Sequence, residues 1–420
     1  MKTKLWLGVG SAVLLGSALN TNPDNQIASA FFSAAPAFAQ EAEGGEGGEG
    51  GGSNLVTSYA LNSTDPDAFK YDAAPQIDAY IDLVRDSYAK SAEGTGALKD
   101  AVDALITDPT DARLAAARKA WVAARPAYLE TEAYRFYDGP IEDIEGRINA
   151  WPMNEAAIDY VEGDAKAGII NASADPLTID MIVKANQAND EADVTTGWHA
   201  IEFLLWGQDL STDGPGNRPV SDFVAGTPAN DRRRTYLGLV AEQLDRDVAS
   251  LRDEWMEDDG YAARFKALPP REAIGRIMNG MAILAGFEFM SARLAVALDS
   301  GDQEDEHSCF SDTTHQDFVY DLAGIKAVWT GNGAGKERKG IDELVRALDK
   351  PTADKVDALL ADAETRIAAL GDPWDKVLAA DPSSPERKAA EDAVVALQSL
   401  GKGLTDAGAK LGVLVLIPAG

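Results

Sequence analysis

Apolar residues recur at helical spacing along almost the whole chain, and sustained strand alternation is missing. The stripes run through Ile77, Ile81, Val84 and Tyr88, and through Leu237, Val240, Leu244, Val248, Leu251 and Trp255. Others pass through Ile274, Ile277, Met281, Leu284, Phe287, Leu294 and Leu298, and through Val356, Leu359, Ala363, Ile367 and Leu370. Side chains three and four apart share one face of a helix, so every stripe needs a partner to cover it. The breaks fall at Asp108-Pro109-Thr110-Asp111, Pro269-Pro270, Lys350-Pro351-Thr352 and Ser383-Ser384-Pro385, which carry turn and helix-start chemistry. The pattern predicts an all-α protein. Its 420 residues exceed one small core, so two packed bundles of up-and-down four-helix type are expected, over 54–262 and 263–420. Val102-Asp103-Ala104-Leu105 before Pro109-Thr110 echoes Val345-Arg346-Ala347-Leu348 before Pro351-Thr352. That echo reads either as internal duplication or as chance agreement between Ala- and Leu-rich helices.

The N-terminus reads as an address. Lys2 and Lys4 precede an apolar run from Leu5 to Leu19, shorter than a spanning helix needs, as in a secretory signal. Small residues at Ala37 and Ala39, or at Ala28 and Ala30, offer cleavage sites, so 1–39 is expected to be the signal. An uncleaved N-terminal anchor is the alternative. The Gly- and Glu-rich stretch 40–53 has no residue able to build a core and reads as an acidic tether. No second spanning segment is read in the rest of the chain, so an exported, periplasmic protein is expected. Cys309 is the only cysteine, which excludes an intrachain disulfide; a lone thiol reads as a small buried hydrophobe or a soft metal ligand. With 69 acidic against 38 basic residues, the net charge of −31 argues against nucleic-acid partners and anionic lipid, and would concentrate cations.

Gly197-Trp198-His199-Ala200-Ile201-Glu202 carries the clearest chemistry. His199 and Glu202 lie three apart in an apolar helical run and can face one ion, or simply hydrogen-bond to each other. A nitrogen and an oxygen donor suit iron, zinc, copper or manganese better than calcium or magnesium. Glu132 and Arg135 share a face three residues apart, as a buried pair or a surface salt bridge. The stretch from Asp143 to Glu155, which includes Asn149, is dense in oxygen ligands, and Glu288 stands between Phe287 and Phe289 in an apolar stripe. The segment from Glu304 to His315 gathers the other two histidines and the cysteine. It reads either as a second metal site or a segment that reaches across to His199, or else as a helix start near His315 capped by Ser311 or Asp312.

The absences matter as well. There is no H-E-x-x-H signature, and Phe203 stands where the inverted H-x-x-E-H form has its second histidine. No nucleophile elbow, phosphate loop or dinucleotide fingerprint occurs.

The run from Gly197 to Asp209, with T-E-A-Y-R-F from Thr131, E-G-R-I-N-A-W-P from Glu145 and E-D-E-H-S-C-F-S-D-T-T-H from Glu304, resembles the imelysin family. Members of that family are also described as insulin-cleaving metalloproteases and as iron-regulated protein A. The resemblance implies an exported protein of two helical bundles, with a G-x-H-x-x-E motif, here Gly197, His199 and Glu202, near the domain interface. It also implies a role in iron uptake at the cell envelope. The expectation is therefore a metal-binding protein of iron or other transition-metal acquisition, with zinc and copper as alternative ions. His199 and Glu202 are the expected ligands, His307 and His315 are further metal candidates, and Glu132, Arg135, Asn149 and Glu288 are the other site residues. The expected partners are a metal ion or chelate and an uptake component of the envelope. A zinc metallopeptidase of the imelysin class and a haem- or siderophore-binding protein are the alternatives.

Overall fold

The structure, a computed structural model, describes residues 69–172 and 175–418, all within one compact unit. The expected signal 1–39 and tether 40–53 lie outside the described residues. Among the described residues there is no strand, only two isolated bridges, Val161–Asp164 and Gly333–Lys336. The all-α expectation is met.

The long helices are α1 (Ala74–Thr107), α2 (Asp111–Leu129), α3 (Gly197–Trp206), α4 (Pro228–Met256), α5 (Pro270–Ser300), α6 (Thr314–Thr330), α7 (Ile341–Leu348), α8 (Lys350–Ala368) and α9 (Pro385–Lys410). Helices α2, α5, α8 and α9 start where the sequence signals them. Thr110, Thr227 and Ser384 each accept a backbone N–H from three residues ahead, supplying a partner that the first turn lacks. The two echoed corners use different caps: Thr110 serves α2, whereas Asp349 accepts from Thr352 N at α8.

Helix α1 packs on α2 and α4; α9 packs on α8 and on α5. Helix α6 touches α2, α5 and α8, so it joins the two groups. Two glycines let helices close on the 3-10 turn Glu130–Tyr134. A Cβ at Gly280 of α5 would sit 2.4 Å from the carbonyl oxygen of Ala133, and one at Gly324 of α6 would sit 2.4 Å from that of Glu130. Glu132 is thereby held between α5 and α6.

Helix α5 is long and apolar enough to cross a membrane by length and composition. Its apolar side chains Ile274, Ile277, Met281, Leu284, Phe289 and Leu294 are instead buried in the core. Between Leu284 and Ala295 it widens into a π-helix. Widening of this kind changes which residues share a face, and it often accompanies functional sites.

Candidate metal centre

Helix α3 carries Trp198 to Trp206, all buried. Its first residue, Gly197, has φ +84°, and a Cβ there would lie 2.2 Å from the Ile148 carbonyl oxygen. The motif glycine thus lets the start of α3 press against the backbone beside Asn149. Trp121 Nε1 of α2 donates to Trp198 O at 3.0 Å and fixes the helix from the other side. Phe203 packs against Phe310, with ring centroids 5.3 Å apart.

His199 and Glu202 do meet, through His199 Nδ1. His199 Nδ1 lies 2.9 Å from Glu202 Oε2, and Glu202 Oε1 accepts from Ser311 N at 2.9 Å and Ser311 Oγ at 2.7 Å. Both oxygens of Glu202 are therefore in use. Ser311 does not cap the next helix: α6 begins after Thr313 without a side-chain cap, because the Ser311 hydroxyl is turned to Glu202. Asp312 does not cap it either.

The Glu304–Thr313 segment reaches across to His199. The rings of His199 and His307 stand 4.8 Å apart between centroids, and Trp151 lies edge-on to His307 at 5.2 Å. His307 Nδ1 lies 2.7 Å from Asp317 Oδ2, an oxygen that also accepts from Ser308 Oγ at 2.5 Å and from Arg125 Nη2 at 3.4 Å. Arg125 in turn donates to Asn149 Oδ1 at 2.6 Å. Each imidazole thus has a carboxyl oxygen against its Nδ1, while His199 Nε2 and His307 Nε2 are buried with no partner. His315 stands apart from the pair's bonding scheme, with its Nε2 3.0 Å from Ile367 O. Cys309 is buried, and burial pushes its thiol well above the usual range.

Burial, and after it the neighbouring ring, drives His199 well below the ordinary histidine range; burial, then Arg293 and Arg125, does the same to His307. Burial pushes the Glu202 carboxyl up to about 8. The two rings are accordingly neutral at pH 7, and neutral imidazole is the form that ligates metals.

A second buried network faces His307. Glu132 Oε2 accepts from Arg135 at 2.5 Å and from Arg293 at 2.6 Å; Arg293 also donates to Asp321 at 2.7 Å and to Glu288 at 3.3 Å, and Arg135 pairs with Glu145 at 3.2 Å. Burial alone would raise the Glu132 carboxyl, but the two guanidiniums hold it down at about 2. Four carboxylates share two guanidiniums here. The excess shows at Glu145 and Asp321, each pushed up to about 7, by burial first, against the pull of its arginine.

The network has a pH signature. A carboxyl raised above its unfolded value lets the folded chain keep a proton that the unfolded chain has lost, so its contribution fades as pH rises through about 7. The buried histidines act in the opposite sense, but only below their ordinary value of 6.5. Between about pH 6.5 and 8, metal-free protein should lose about 3 kcal/mol of unfolding free energy, since Glu202 titrates there as well, and Glu145→Gln should remove somewhat under about 1 kcal/mol of that loss. Urea denaturation across this range measures it; a profile that rises with pH would contradict it.

All four residues expected beside the metal candidates, Glu132, Arg135, Asn149 and Glu288, are buried around this centre. Arg125, Arg293, Asp317 and Asp321 join them unforeseen. Arg293 pairs with Glu288 across five residues of the π-helix, a spacing that an α-helical reading would not pair.

The all-helical fold that carries this buried centre is shared with known proteins. The imelysin (peptidase M75) family model matches residues 84–402, and the chain belongs to that family. Iron-regulated protein A of Synechococcus elongatus is 24% identical over 327 residues, covering 75% of this chain and 79% of that protein. A Parabacteroides distasonis crystal structure, described under the name iron-regulated protein A precursor, superposes with a TM-score of 0.66 at 19% identity, covering 85% of this chain and 98% of that one. An imelysin-like protein from Psychrobacter arcticum gives a TM-score of 0.59 at 16% identity, covering 83% and 99%. These structures share the fold.

Proposed function

We propose that this protein binds a transition-metal ion, iron in the first instance, at the imidazole pair, and serves metal acquisition as an exported protein of the cell envelope. One observation carries the reading: two buried Nε2 atoms without partners, on neighbouring rings whose Nδ1 atoms are each held by a carboxylate. An orphaned buried nitrogen is costly, and a carboxylate behind a histidine is the usual device for aiming the opposite nitrogen at a metal. His199 and His307 then supply the donor atoms, and Glu202 and Asp317 orient them. The names of the Synechococcus and Parabacteroides relatives favour iron, and the word precursor in the latter favours export.

Two imidazoles do not fill a transition-metal coordination shell. Among the described residues, the three-member group of His, Cys, Asp or Glu ligand atoms mutually within 4.8 Å lies elsewhere. The remaining positions are therefore free for water or for the oxygen atoms of a chelator, which suits a cargo better than a permanently caged ion. Both rings are buried, so loading requires a local opening of the structure around them.

Titration calorimetry with anaerobic Fe(II), and separately with Zn(II), tests this on protein stripped of metal and free of a histidine tag. Wild type should bind about one ion per chain, and His199→Ala should weaken binding by at least about 100-fold. Equal affinity in the two proteins would overturn the assignment.

A further inference from the structure

Away from the imidazoles, a second group of side chains has the make-up of a cation site. Asp209 follows α3, Asp312 lies just before α6, and Asp375 opens the short helix Asp375–Leu378. Each brings one carboxylate oxygen within 4.8 Å of the others. Gln303 Nε2 braces two of them, donating to Asp209 Oδ2 at 2.7 Å and Asp375 Oδ2 at 3.0 Å, and Ser211 N donates to Asp209 Oδ1 at 3.0 Å. Asp312 Oδ1 and Asp375 Oδ1 remain buried without a partner.

Acidic clusters are common in so acidic a chain, and three aspartates alone would prove little. The independent observation is Glu306. It is 1% exposed, its carboxylate is set against that of Asp375, and neither of its oxygens has a hydrogen-bond partner. The Thr314 hydroxyl lies beside it. The side-chain charges acting most on Asp209, Glu306 and Asp312 come from other carboxylates, not from Arg or Lys. A buried carboxyl group facing only carboxylates either keeps its proton, as burial favours at Glu306, or gives that proton up to a cation seated among them. The donors are oxygens throughout, with no imidazole or thiol, and that set selects a hard divalent ion over iron, copper or zinc.

Its place in the chain gives the cluster a role. Glu306 adjoins His307, and Asp312 adjoins Ser311, the residue that holds Glu202. We propose that Asp209, Asp312 and Asp375 hold a calcium-class divalent cation, with Glu306 adding the fourth negative charge, and that this ion fixes the segment delivering His307 and Ser311 to the metal centre. The site is distinct from the imidazole pair and takes a different class of ion.

Calcium added to chelator-stripped full-length protein near neutral pH tests the proposal by calorimetry and thermal melting. Wild type should bind about one calcium ion per chain and melt several degrees higher with it, whereas Asp375→Asn should lose at least about tenfold in affinity and most of the shift. Removing one of four crowded negative charges should leave the stripped variant melting no lower than stripped wild type, which separates loss of the site from loss of the fold. His199→Ala should respond to calcium as wild type does. The proposal is overturned if stripped wild type ignores calcium, if Asp375→Asn responds equally, or if His199→Ala abolishes the response.

Discussion

Replacing His307 with alanine should cost as much transition-metal affinity as replacing His199, at least about 100-fold, although His307 lies outside the G-x-H-x-x-E motif. The equivalence follows from the matched surroundings of the two rings. Each is buried, each has Nδ1 against a carboxylate oxygen at 2.7–2.9 Å, and each leaves Nε2 without a partner. His315→Ala provides the contrast. That side chain already spends its Nε2 on Ile367 O, so its loss should leave affinity within about twofold of wild type. Asp317→Asn tests the aiming device: the ring remains but loses the charged acceptor that fixes it, and a fall of about 10–100-fold is expected. If the two imidazoles serve one ion as proposed, the double variant His199→Ala/His307→Ala should lose less than the sum of the single losses. Calorimetry on these variants decides the matter; affinity falling with His315 and not with His307 would move the centre elsewhere.

The fold was legible because helical periodicity is a local property. Stripes such as Leu237 to Trp255, and breaks such as Lys350-Pro351-Thr352, state the helices and their starts within a few residues of sequence. The centre was legible only in part. The i,i+3 spacing of His199 and Glu202 showed that the pair would touch, yet spacing cannot tell a shared ion from a carboxylate turned to Nδ1. What settles the geometry is Ser311, 109 residues away, which occupies the other oxygen of Glu202. The crowding of His307, Cys309 and His315 into one segment pointed to the stretch of chain that approaches His199. It could not show that His307 turns inward while His315 bonds a helix carbonyl. Arg293 escaped because the π-helix changes the period at which residues share a face, and Asp375 escaped because it meets Asp209 and Asp312 only in three dimensions.

Gly197→Ala should destabilise the protein by several kcal/mol, a larger effect than the left-handed backbone of the motif glycine would alone produce. Placing an alanine at φ +84° costs about 1–2 kcal/mol in conformational energy. The further cost is steric: the new Cβ would sit 2.2 Å from the Ile148 carbonyl oxygen and 2.8 Å from that of Arg147. Neither is the yielding end of a side chain. Relief requires α3 to move off the Arg147–Asn149 backbone, and Trp198 and Trp121 resist that movement because both are fully buried and joined by a 3.0 Å hydrogen bond. Gly163 isolates the conformational part, since it has φ +83° and nothing within 4 Å of the place a Cβ would take, so Gly163→Ala should cost only about 1 kcal/mol. Urea unfolding of the two variants measures the difference. Equal losses would mean that the backbone of α3 gives way easily at its first residue. A large excess for Gly197→Ala would mean that the motif glycine is required for closeness, since it brings His199 to the depth at which His307 can meet it.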